Sequence, residues 1–149
     1  MQSKGNRRFE AVVIGVSTGG VAALKIILGS LPADFPLPVI IVSHISPDSD
    51  NGLSLLLDSY SPLRVKEADE QEAIVSGTVY LAPPNYHLLV ERGRTLALSI
   101  DPPVNYARPS VDVLFETAAE EYGQSLIGVI LTGAGSDGST GLLLSLIHI

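Results

Sequence analysis

Three residues of this chain have the side-chain types that turn a weak hydroxyl into a nucleophile: Ser17, His44 and Asp137. An imidazole takes the serine proton, a carboxylate fixes the tautomer and stabilises the imidazolium, and backbone N–H groups of a tight turn hold the oxyanion. Ser17 sits in the middle of Gly15-Val16-Ser17-Thr18-Gly19, the G-x-S-x-G spacing in which flanking glycines let a sharp strand-to-helix turn present a hydroxyl. Each residue also has a plain alternative. Ser17 can cap the helix that follows, His44 can bond to backbone at a strand end, and Asp137, after Gly135-Ser136, can cap a last helix. The pentapeptide also fits a loop without chemistry or a phosphate-binding loop. Against the phosphate loop, Ser17 replaces the second glycine of G-x-G-x-x-G and no Walker lysine follows.

What joins the three residues is their place relative to the elements that must carry them. Residues 11–14 are apolar and β-branched, which predicts a buried strand, and Val21, Leu24, Ile27 and Leu28 then recur at helical spacing. Residues 38–42 (P-V-I-I-V) predict a second buried strand, with His44 just past its end. Residues 126–131 predict a further core strand that runs into Thr132-Gly133-Ala134-Gly135-Ser136-Asp137-Gly138. Strands that are apolar throughout and separated by helices mark a parallel sheet covered on both faces. In such a sheet ligands bind outside the carboxyl ends of the strands, so the loops bearing Ser17, His44 and Asp137 converge there.

The remaining segments complete a βα-repeating chain. Asp50 or Asn51 is expected to cap a helix whose Leu53, Leu56 and Leu57 face the core, closed by Ser61-Pro62. Residues 48–52 resemble a calcium loop only at the start, since Ser59 stands where the late glutamate belongs. Residues 65–68 open a polar region with an exposed acidic turn, and residues 78–82 form another strand, stopped by Pro83-Pro84. Residues 86–90 and 95–100 flank Glu91-Arg92-Gly93-Arg94, an antiparallel hairpin signal. Ser110 caps a helix with Val111, Leu114, Phe115 and Ala118 inward and Asp112 and Glu116 near its positive end or on its outer face. The fold class expected is α/β: a doubly wound, mostly parallel sheet with helices on both faces and an inserted antiparallel hairpin.

Composition narrows the function classes. With 149 residues and 46% hydrophobic content the chain makes one core and one domain over 1–149, with residues 1–8 as a flexible lead. No cysteine is present, which excludes disulfides and thiolate metal sites. No stretch reaches the ~20 apolar residues of a membrane span, so a cytoplasmic protein without direct membrane insertion is expected. The net charge of −7 argues against nucleic acid as a partner. Arg7, Arg8, Arg92 and Arg94 could form a local basic patch, with scattered solvated charge as the simpler reading. His87 and His148 are weaker candidates for the base, and no H-x-x-x-H or H-E-x-x-H spacing offers a zinc site. Neither a metal nor any other cofactor is expected.

Several segments in order carry a resemblance beyond any single motif: I-G-V-S-T-G-G over 14–20, His44 after P-V-I-I-V-S, V-K-E-A over 65–68, Y-L-A-P over 80–83, P-P-V-N over 102–105, R-P-S-V-D-V-L-F over 108–115, and G-V-I-L-T-G over 128–133 with Gly135 and Asp137-Gly138. The chain resembles the catalytic domain of the chemotaxis protein-glutamate methylesterases, the CheB family. The resemblance implies hydrolysis of γ-glutamyl methyl esters on the cytoplasmic helical bundles of chemoreceptors, with deamidation of receptor glutamines as a second activity. It places the nucleophile on Ser17, the base on His44, the orienting acid on Asp137, and the oxyanion hole on the backbone N–H groups of Thr18 and Ala134. Ala134 stands where the family usually has methionine, and the order Ser, His, Asp differs from that of α/β-hydrolases, making the elbow convergent. Family members carry a receiver domain ahead of the catalytic one and continue past the last helix. The expectation is therefore a catalytic domain shortened at its C-terminus, regulated, if at all, through a separate response-regulator or kinase component. The rival readings are a non-catalytic receptor- or partner-binding module of the same fold and a phosphate or nucleotide binder using the glycine turns.

Overall fold

A computed structural model describes residues 8–16, 20–44, 52–104 and 106–131 of the chain. Its centre is a five-stranded parallel sheet. The apolar run expected to be the first strand is β1, Ala11–Val16, and it pairs with β2, Val39–Ser43, on one side. Beyond β2 lie β4, Thr78–Leu81, and then β3, Arg64–Glu67. On the other side of β1 runs β7, Leu126–Leu131, which gives the order β3-β4-β2-β1-β7. A separate antiparallel hairpin joins β5, His87–Glu91, to β6, Thr95–Ser99, through a turn in which Gly93 takes the left-handed φ of 89°. The doubly wound, mostly parallel sheet with an inserted hairpin is thus present.

Both faces of the strands are apolar because both are covered. Side chains alternate across a strand. Val12, Ile14 and Val16 face one way, together with Val39, Ile41, Val79 and Leu81. They pack under α1, Val21–Ser30, through Leu24 and Leu28, and under α2, Gly52–Tyr60, through Leu57. Ala11 and Val13 face the other way with Ile40, Val42 and Tyr80. That side is covered by α3, Val111–Tyr122, through Val111, Leu114, Phe115 and Ala118, and by Leu88, Val90 and Leu96 of the hairpin.

Some local readings change. The polar stretch 65–68 supplies β3, the edge strand, where one buried residue, Val65, suffices to seat it on the sheet. In α2, Leu57 is buried and Leu53 partly so, but Leu56 is 40% exposed because α2 meets the sheet along a narrow line. Ser110 caps α3 as expected, its Oγ accepting from Val113 N–H. Asp112 lies in the first turn of α3 and is buried rather than solvated. The expected caps Asp50 and Asn51 lie outside the described residues.

The sheet's amino edge is tied by charge. Glu10 accepts from Arg94 Nη2 at 2.7 Å and from Ser125 Oγ at 3.0 Å, and its N–H donates to Ser125 O at 2.8 Å. The hydrogen bonds from Arg94 and Ser125 hold the Glu10 carboxyl below its ordinary pKa. Arg94, read from sequence as solvated charge, stacks on the Tyr122 ring at 4.5 Å and faces Glu121, so it pins the hairpin to α3 and to Glu10 just before β1.

Candidate active site

The opposite, carboxyl edge is where the predicted residues belong. In the pairing register Val16 of β1 stands opposite Ser43 of β2 and Leu131 of β7, so three adjacent parallel strands end at one level. His44 follows β2 directly, is half-buried, and donates its backbone N–H to Val16 O at 3.0 Å. This bond is one more rung of the β1–β2 ladder, and it fixes the His44 backbone beside the last residue of β1. Ser17 comes next in sequence after Val16, and Asp137 follows Leu131 by a short glycine-rich stretch. Ser17, Thr18, Ala134, Asp137 and His148 lie outside the described residues. The structure therefore brings His44 to the shared strand-end level.

The helix α3 reaches the same edge at its N-terminus. Gly15 belongs to the α3 side of β1, and a Cβ built on it would stand 2.4 Å from Val111 Cγ1 and 3.1 Å from Ile130 Cδ1. Van der Waals contact between carbons begins near 3.5 Å, so only glycine fits. The first glycine of G-x-S-x-G is thus still within the strand. It is required by the approach of a helix rather than by a special backbone angle, a role the sequence signals only as a turn.

His87, the second candidate base, is not available for that role. It is 2% exposed, with Nδ1 3.2 Å from Ser110 N and Nε2 3.0 Å from Pro102 O. An N–H can only donate and a carbonyl can only accept, so Nδ1 is the bare acceptor and Nε2 carries the hydrogen. Beside it Arg108 donates through Nη1 to Ile100 O and Asp101 O, and through Nε and Nη2 to Asn85 Oδ1. These ties hold the segment leading into α3, and nothing in the residue spacing announces them. Among the described residues no helix is long and apolar enough to cross a membrane.

A parallel sheet covered by helices on both faces, with three adjacent strands ending at one level and a histidine directly past one of them, defines an open α/β fold of the class that binds ligands outside the carboxyl ends of its strands. More specifically, the chain belongs to the CheB methylesterase family, whose model matches residues 12–144. A relative from Leptospira interrogans is 55% identical over 134 residues, covering 90% of this chain and 69% of the relative. The protein-glutamate methylesterase/protein-glutamine glutaminase of Archaeoglobus fulgidus is 42% identical over 144 residues, 95% of this chain but 41% of that protein. Among solved structures, the Thermotoga maritima CheB methylesterase catalytic domain superimposes with a TM-score of 0.89 at 39% identity, covering 94% of this chain and 76% of that one.

Proposed function

We propose that this chain is a cytoplasmic serine hydrolase that removes methyl esters from glutamate side chains of chemoreceptor cytoplasmic domains and deamidates glutamines at such sites. The observation that carries the reading is the common level at which β2, β1 and β7 end, with His44 bonded through its backbone to Val16. Ser17 is the nucleophile, His44 the general base, Asp137 the orienting carboxylate, and the Thr18 and Ala134 N–H groups the oxyanion donors. In the first half-reaction Ser17 Oγ bonds to the ester carbonyl carbon while His44 takes its proton. The carbonyl oxygen becomes an oxyanion held by the two N–H groups. As the tetrahedral adduct collapses, the C–OCH₃ bond breaks and His44 returns the proton to the departing oxygen, releasing methanol. In the second, His44 deprotonates a water that attacks the acyl carbon, Ser17 leaves with the proton, and the glutamate carboxylate is freed. With a glutamine substrate the leaving group is ammonia.

The test is methanol release from a methylated receptor fragment by this chain and by Ser17→Ala, His44→Ala and Asp137→Ala. Losses of roughly 10³-fold or more for the Ser17 and His44 variants, with folding intact, are expected. A folded, unmodified chain that releases no methanol overturns the reading.

A further inference from the structure

We propose that His87 is a positioning residue for the reaction: its two ring bonds set the axial position of α3, and through the Val111–Gly15 contact that position sets the end of β1 from which Ser17 departs. The inference rests on the proposed function for its kinetic consequence, but its structural half stands on contacts alone. The strand β5 grips α3 at two heights. Midway along, Thr117 Oγ1 accepts from Val90 N–H at 3.0 Å, and at the N-terminus His87 Nδ1 accepts from Ser110 N–H. Ser110 is the residue whose hydroxyl caps the helix. Its N–H is therefore held by a ring that is itself anchored on Pro102 O, in a segment that Arg108 fastens at Ile100 and Asp101.

The contact at Gly15 has no slack. With Val111 Cγ1 at 2.4 Å from a notional Cβ, the valine sits directly on the strand backbone, two residues before Ser17. Val111 is β-branched and on a helix has little rotameric freedom, so a shift of the helix start moves the contact rather than being absorbed by the side chain. The hairpin is a sheet of its own, packed on α3 and on the same face of the main sheet, and bonded to residues 71–74 through Arg94 and Leu96. A buried histidine on an inserted hairpin thereby acts at the strand end without touching substrate.

Two substitutions separate the ring's bonds. In His87→Asn the amide oxygen replaces Nδ1 and keeps the acceptor for Ser110 N–H. In His87→Gln the amide nitrogen reaches Pro102 O while a carbon replaces Nδ1. His87→Gln is expected to accelerate backbone hydrogen exchange in residues 110–114 and 14–20 with the 87–99 hairpin still protected, and to lower kcat about 10-fold or more at nearly constant KM, because displacements of order 1 Å at a reacting group carry such costs. His87→Asn keeps the Ser110 bond and gives up the anchor on Pro102 O, so both readouts are expected to fall between those of the parent chain and of His87→Gln. Exchange changes confined to 85–103, or equal kcat per folded molecule in all three chains, overturn the proposal. Exchange decides it even if the parent chain releases no methanol, a result that would fall on the proposed function instead. If His87→Gln fails to fold, the ring nitrogens of the parent chain decide: an NMR spectrum with the hydrogen on Nδ1 overturns the proposal, and one with the hydrogen on Nε2 and scalar coupling from Ser110 N–H to Nδ1 supports it.

Discussion

At the scale of single residues, Gly15 shows how a motif position acquires a second meaning from a distant partner. A methyl group at this position would collide with Val111 Cγ1 and crowd Ile130 Cδ1. Gly15→Ala is expected to destabilise the fold by about 1–3 kcal/mol, the usual cost of overpacking a tight core contact. Adding Val111→Ala in the same chain is expected to recover most of that loss, because the two changes share one contact. Urea unfolding of the two single variants and the double variant checks it, and strictly additive losses would refute the shared contact. The strand ends were legible because they are local signals: β-branched apolar runs stop near a glycine or a hydroxyl, and His44 follows β2 directly as that reading expects. The steric demand on Gly15 was not, since Val111 lies far along the chain and no local pattern links them. His87 was misleading for the same reason. Its partners Pro102 and Ser110 are supplied by other segments, and they convert a candidate base into an anchored ring.

At the scale of elements, the strands with continuous apolar runs and the helices with clear apolar spacing were readable, and the short edge strand was not. Arg64–Glu67 has a single buried side chain, and its charged neighbours look like a loop when the sheet is not in view. Its polarity has a physical role, because an edge strand with free backbone donors invites pairing with another chain. Here Val65 N–H is covered by Asp58 Oδ1 of α2 at 2.9 Å. On the same strand Lys66 bonds to Glu72 and Asp69, and although burial pulls its pKa down, those two carboxylates outweigh it and raise it above the ordinary value. Asp58→Ala is expected to cost about 1–2 kcal/mol by stranding the Val65 donor, whereas Asp58→Asn retains an acceptor and most of the stability. Thermal unfolding, with light scattering to follow edge-to-edge association, distinguishes them. Equal stability of the alanine and asparagine variants would remove the hydrogen bond from the account.

At the scale of the whole molecule, the two edges of the sheet divide the work. The carboxyl edge is where β2, β1 and β7 end at one level beside His44, and the amino edge is closed by Glu10, Arg94, Ser125 and Tyr122, residues drawn from the position just before β1, the hairpin turn, the 3-10 turn Gly123–Ser125 and α3. This closure has a pH limit that follows from Tyr122. Burial pushes its phenol up from 10.0 to about 12, with the stacked Arg94 pulling in the opposite direction and Glu121 adding to the rise. Between those values the unfolded chain has released the phenolic proton and the folded chain has kept it. Stability therefore falls as pH rises from the unfolded to the folded pKa, and the contribution is fully present below about pH 10. At about 1.4 kcal/mol for each tenfold step in proton affinity, the loss attributable to Tyr122 is on the order of 3 kcal/mol. Tyr122→Phe keeps the buried ring and its contact with Arg94 but has no proton to lose. Urea unfolding at about pH 9 and about pH 11.5 is expected to show a shallower alkaline decline for the phenylalanine variant than for the parent chain, with the curves converging below pH 9. Parallel declines in the two chains would mean that the ionised phenol is tolerated at this edge and would remove Tyr122 as the source of the pH limit.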